Sequence, residues 1–217
     1  MSERITWTLV DGENIDATLG GSILGRRPQP DERPRWDRLL TFLEERWHQD
    51  VRGLFFLNAT THLPMPFVQA LLALGYTPVP LSGPAEAKVV DLAIQRTLQA
   101  LQGRDADVVL VSHDRDFVDD LAALTGAGRR VGMLGFHEFR SGEFASVPGI
   151  EFFDLEYDVH AFDAVLPRVR VIPIEEVDPA QFLGCSSPPP PTGARASCPQ
   201  SAGSHSHGGP AAAIVAA

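Results

Sequence analysis

The chain has 217 residues, enough for one ordinary domain with length to spare, and 44% are hydrophobic against 21% charged, as a globular protein with a sizeable core requires. A formal net charge of −10 excludes broad electrostatic adhesion to nucleic acid or an anionic membrane, although acids gathered at one place to hold cations add to the same total. MSERITWTLVDGEN has no long apolar run, so neither a signal peptide nor a membrane span is expected there. Cys185 and Cys198 offer no disulfide framework and no paired zinc spacing, and the expected address is cytoplasmic.

ITWTLV (5–10) reads as a strand that ends at Asp11, followed by a Gly-, Pro- and Arg-rich loop through residue 34. PRWDRLLTFLEERWHQ (34–49) opens on Pro34 and sets Trp36, Leu39, Leu40, Leu43 and Trp47 on one helical stripe, which predicts core packing for both tryptophans. GLFFLNA (53–59) is a strand, PFVQALLALG (66–75) a helix closed by Gly75, and YTPVPL (76–81) a third extended segment. PAEAKVVDLAIQRTLQALQG (84–103) reads as a helix with Pro near its start and Gly after its end. DVVLVS (107–112) is a strand followed by a helix over 116–128, and RRVGMLGF (129–136) and IEFFDL (150–155) complete six strands.

Apolar strands separated by helices imply parallel βαβ units and a three-layer α/β/α sandwich with a mainly parallel, Rossmann-like sheet. Residues 1–155 form the expected domain. Residues 156–184 form an extension packed on it that carries one more strand, RVRVIPI (168–174). Residues 185–217, rich in Pro, Ser, Gly and Ala with Arg195 as their one charge, read as a disordered tail. In that setting Cys198, His205 and His207 do not make a metal site. Without the tail the first 184 residues carry −11.

Ligands of such sheets bind beyond the carboxyl ends of the strands, where Asp11 and Asp114 stand. DGEN (11–14) follows the first strand, Lys88 and Asp91 lie three apart on one helix, and Asp114 and Asp116 follow the central strand in VLVSHDRDF. A helix cap needs one Asp, not two, although capping by Asp114 and a solvated Lys88–Asp91 pair remain the bland alternatives. Carboxylates brought together raise one another's pKa unless a cation neutralises them, and hard divalent ions choose oxygen ligands. Phosphodiester cleavage assisted by such an ion is the chemistry that suits the set.

DGEN, KVVD and VLVSHDRDF, in that order over about residues 5–155, resemble the NYN domain, a branch of the PIN-like nuclease superfamily that also includes LabA-like proteins. The resemblance implies a PIN-like fold, Mg²⁺ or Mn²⁺ held by Asp11, Asp91, Asp114 and Asp116, assistance from Asn14 and Lys88, and ribonuclease activity on single-stranded or structured RNA; an endonuclease is the leading expectation, with an exonuclease left open by the sequence. Ser112 opens the signature and Phe117 closes it. Two departures stand out: His113, where the family usually has Gly, and the long 16–34 insertion. The ring at position 113 either alters the approach of the backbone to substrate or offers a proton carrier near neutral pH, and as a residue by itself it is either a supporting polar contact or an exposed loop residue.

Arg26, Arg27, Arg33, Arg35 and Arg38 against Asp31, Glu32 and Asp37 leave +2 beside the acids, so Arg26, Arg27 and Arg35, with Ser112 and His113, are the expected substrate contacts. Asn58, Thr60 and Thr61 share that edge by position. A catalytically weak RNA-binding or protein-interaction module on the same fold is the main rival. An aspartyl-phosphate phosphatase is disfavoured by Glu13, where such enzymes carry a second Asp, and a dinucleotide site by the missing G-x-G-x-x-G. Homodimerisation and any partner of the tail have no readable signature.

Overall fold

Sequence neighbours in the central strands are buried on opposite faces of one sheet. Val10, Phe55, Val109 and Val111 belong to one hydrophobic cluster, while Leu9, Phe56, Val108 and Leu110 belong to another. A strand covered on both sides reads as an unbroken apolar run, which is why VVLV shows no alternation in the sequence. The computed structural model describes residues 4–168 except Ala85 and Ala127, together with Ile174, Val177 and Pro179.

Among these residues the strands are β1 (Ile5–Asp11), β2 (Val51–Asn58), β3 (Thr77–Leu81), β4 (Ala106–Val111), β5 (Val131–Gly135) and β6 (Ile150–Asp154). All pair in parallel, in the order β3-β2-β1-β4-β5-β6. The helices are α1 (Gly12–Ala17), α2 (Trp36–Trp47), α3 (Met65–Ala73), α4 (Val89–Gln102) and α5 (Val118–Ala122). Leu39, Leu43, Trp36 and Trp47 of α2 and Val68 and Leu71 of α3 cover one face; Ile94 and Leu98 of α4 and Leu121 of α5 cover the other. The sandwich expected from the sequence is the fold observed, with both tryptophans in its core.

From β1 the chain winds outward to β2 and β3, then returns through α4 to β4 on the other side of β1. The winding direction reverses between β1 and β4, and that reversal opens a crevice past their carboxyl ends. At the far edge, Leu81 of β3 turns its carbonyl inward to Ala59 N–H, so Pro78 and Pro80 occupy the outward-facing positions. Neither has an N–H to offer, which denies an added strand its partners. Asn58 and Thr60 brace the adjoining turns: Asn58 Oδ1 accepts from Thr60 N–H, and Thr60 Oγ1 from Gly83 N–H.

Three local expectations change. The loop expected after DGEN begins as α1, continues as a π-helix over Thr18–Leu24 and ends at Gly25, whose φ of 65° lies in the left-handed region; a short 3₁₀ turn follows at Pro30–Glu32. Asp11 starts α1 by accepting Asn14 N–H. The helix expected over 84–103 begins at Val89 with Lys88 as its N-cap residue. The helix expected over 116–128 reduces to a 3₁₀ turn (Arg115–Phe117) and the five residues of α5, because Gly126 and Gly128 adopt positive φ.

Residues after β6 add Leu155, Val159, Ala161 and Leu166 to the cluster under α2. The strand expected over 168–174 lies largely outside the described residues, as do the tail from residue 185 and its Cys198, His205 and His207. No helix of the described residues is long and apolar enough to cross a membrane.

Candidate metal centre

Asp11 is the last residue of β1 and is only 3% exposed. One carboxylate oxygen accepts Asn14 N–H at 3.2 Å and the other accepts the Ser112 hydroxyl at 3.1 Å. Burial pushes this carboxyl up to about 6, against the lowering effect of the two hydrogen bonds; the negative charges of Asp91 and Glu13 push in the same direction as burial. The Gly of DGEN has a steric cause, since a Cβ on Gly12 would stand 2.4 Å from the Phe55 ring.

Ser112 Oγ, which donates to Asp11, also accepts Asp114 N–H at 3.2 Å, so the ends of β1 and β4 are tied through one hydroxyl. Asp114 caps the following turn by accepting Asp116 N–H at 3.0 Å. The bland capping reading is therefore true of Asp114, and it occupies only one of its two oxygens. Asp91 lies in the first turn of α4. One oxygen each from Asp91, Asp114 and Asp116 can be chosen so that all three lie within 4.8 Å of one another.

Lys88 Nζ lies 3.3 Å from Asp91 and 3.3 Å from Asp116, on a side chain that is 66% exposed. Hydrogen bonds to Asp116 and Asp91, and the charges of Asp91 and Asp114, hold the ammonium above its ordinary value. Gln95, one helical turn after Asp91, donates to the Asp116 carbonyl at 3.3 Å. It escaped the sequence reading, although its i+4 spacing from Asp91 could have flagged it.

The expected set of four acids thus resolves into three that converge and one, Asp11, that lies behind them at the other end of the Ser112 relay. Carboxylate oxygens that outnumber their one mobile counter-charge suit a hard divalent ion. The cluster of Asp91, Asp114 and Asp116 is compatible with such an ion.

The expected substrate contacts divide. Ser112 is fully buried, and His113, only 8% exposed, has both ring nitrogens engaged within the protein. Burial pushes the His113 ring down to about 4, so it is neutral at pH 7 and is neither an exposed contact nor a proton carrier near neutral pH. Arg35 and Arg38 both bind Asp163 and fasten the segment after β6 to α2, which removes Arg35 from the substrate side. Arg26 pairs with Glu32 at 2.6 Å and Arg33 with Asp16 at 3.0 Å. Of the five arginines only Arg27 makes no ion pair among the described residues. Arg26 and Arg27 line an open cleft of about 490 Å³ with Glu13, Asp16, Gly20 and Gly21.

An all-parallel sandwich with acids gathered at its switch point is consistent with a PIN-like α/β/α fold. Residues 6–156 match the NYN domain, and the chain belongs to that family. Its structure is similar to that of a protein of unknown function from Vibrio parahaemolyticus RIMD 2210633, with a TM-score of 0.56 over 72% of this chain and 95% of that one; at 16% identity the likeness is one of fold. No curated protein matched the chain.

Proposed function

We propose that the chain is a metal-dependent ribonuclease that cleaves RNA phosphodiester bonds endonucleolytically. The observation that carries this reading is the convergence of Asp91, Asp114 and Asp116, from two separate elements, on a space small enough for one ion. When bound there, Mg²⁺ or Mn²⁺ offsets the acids' charge, lowers the pKa of a water and polarises a phosphoryl oxygen. Asp91, Asp114 and Asp116 supply the oxygens that hold it. Asp11, ionised for the most part above pH 6, keeps Ser112 and hence the Asp114 backbone in register. Lys88, on a flexible exposed stem, is free to leave the acids and meet a phosphate oxygen. Arg27 faces the strand from the neighbouring cleft, where glycine backbone and Ala17 leave room for a nucleotide.

The rival reading, a binding module with little turnover, is favoured by Lys88 itself. An ammonium 3.3 Å from two of the three acids already does part of the ion's work. Labelled RNA incubated with purified protein and Mn²⁺, beside Asp114→Asn, decides between them. Metal-stimulated cleavage by the wild type alone supports the nuclease. Equal cleavage by both variants removes the activity from this site, and RNA affinity without cleavage selects the binding module.

A further inference from the structure

Asn14 stands in α1, one turn past Asp11, and its carboxamide has a fixed orientation. Its side-chain oxygen receives two hydrogen bonds from one residue, the backbone N–H of His113 at 2.9 Å and the His113 ring Nδ1 at 2.9 Å. A backbone N–H can only donate, which assigns the acceptor as Oδ1 and leaves the Nδ2 hydrogens without a protein partner among the described residues. At the other side of the ring, Nε2 accepts Phe136 N–H at 2.7 Å. That bond consumes the Nε2 lone pair, so the ring proton sits on Nδ1 and points to Asn14, with Thr18 Oγ1 at 3.2 Å.

The ring has a built seat. It stacks on Phe136 at 5.6 Å with planes 10° apart, and it rests against Gly135, where a Cβ would come within 2.6 Å of Nε2. Position 113 therefore links the end of β5 to α1 through a side chain that a glycine opposite makes room for.

We propose that His113 is a positioning residue: it turns the Asn14 carboxamide oxygen inward, so that both Nδ2 hydrogens are offered to a non-bridging phosphate oxygen of RNA at the acid edge. The proposal rests on the RNA reading above, and its test is separable from that reading. Binding of a fluorescent single-stranded oligoribonucleotide is measured in an Asp114→Asn background, where cleavage does not intervene.

Asn14→Ala and His113→Gly are each expected to weaken binding about tenfold, the scale of a hydrogen bond to a charged group, and the double variant no further than either alone. Gly135→Ala, which displaces the ring without touching site residues, is expected to lose affinity in the same direction, and His113→Gln, which keeps an amide donor, to recover part of it. Long-range ¹H–¹⁵N correlation in the unbound protein should show His113 protonated at Nδ1. Additive losses, full affinity in a folded His113→Gly or Gly135→Ala variant, or an Nε2–H ring overturns the clamp and leaves the nuclease reading standing. Failure of the parent to bind RNA at all overturns that reading, and the donor role of Asn14 with it.

Discussion

Two groups of carboxylates gather toward the same end of the sheet, and they have opposite fates. At the ends of β5 and β6, Glu138, Asp154 and Glu156 surround Arg168, whose side chain is 2% exposed and lies over the rings of Phe136 and Tyr157. Burial alone would push the Asp154 carboxyl up. Hydrogen bonds and charge from Arg168, with the backbone N–H groups of His137 and Tyr157, outweigh it and hold the carboxyl below its ordinary value. Past β1 and β4, Asp91, Asp114 and Asp116 have only the exposed Lys88 among the described residues, and Asp11 behind them is displaced upward instead. The first group carries a permanent, immobile cation and is a structural clamp for the segment after β6. The second has three carboxylates beside one exposed ammonium among the described residues, which makes it the candidate metal centre.

The comparison breaks most sharply at Arg168. Arg168→Ala strands three carboxylates around a buried gap, and urea denaturation is expected to show a loss of about 3–5 kcal/mol. Asp114→Asn should do the reverse: a folded protein whose metal-stimulated RNA cleavage falls on the order of 10²–10³-fold in a gel assay. Comparable destabilisation by both substitutions would erase the distinction between clamp and site.

Asp11 and His113 sharpen it through pH. Asp11 has a folded-state value of about 6 against the ordinary 3.8, so the folded chain binds more protons between pH 4 and 6 and stability falls as pH rises across that window. His113 has about 4 against 6.5, so the unfolded chain binds more protons and stability rises with pH between 4 and 6.5. In the wild type the two slopes oppose each other. Asp11→Asn leaves the His113 slope alone, so its stability relative to wild type should climb by roughly 2 kcal/mol from pH 4 to 6.5; His113→Gln should decline relative to wild type by a similar amount. Parallel pH profiles for all three proteins, read from thermal melts, would contradict the burial of either group. At pH 7 Asp11→Asn is also expected to be the more stable protein while cleaving RNA poorly.

The smallest effect belongs to Lys88. Lys88→Met removes an exposed partner, so the melting temperature should stay within error of wild type. Mn²⁺ affinity, followed by titration calorimetry, should tighten several-fold if the ammonium and the ion compete for the acids.

Much of this was legible in the residues. The apolar runs at 5–10, 53–59 and 107–112 cannot be solvated, and helices between them leave a covered parallel sheet as the solution. Their positions at the carboxyl ends of parallel strands then put Asp11 and Asp114 at one edge, while the strand order and the reversal of winding came only with the tertiary structure. The local features that misled have identifiable causes. Gly20 and Gly21 in TLGGSIL read as a loop, yet the helix begun at the Asp11 cap runs through them as a π-helix. Alanines after Asp119 read as a longer helix, yet Gly126 and Gly128 end the segment in left-handed backbone.

The sequence by itself determined the layers, the central strand and the acid-bearing segments, because hydrophobic periodicity and strand-end position are local properties of the chain. Only the tertiary structure decided which charges remain available. Arg35 is tied to Asp163, His113 turns inward over Gly135, and Asp11 lies behind Asp114 through Ser112. Each outcome joins residues about 20 to 130 positions apart, and burial and pairing at such separations depend on neighbours that no local pattern names.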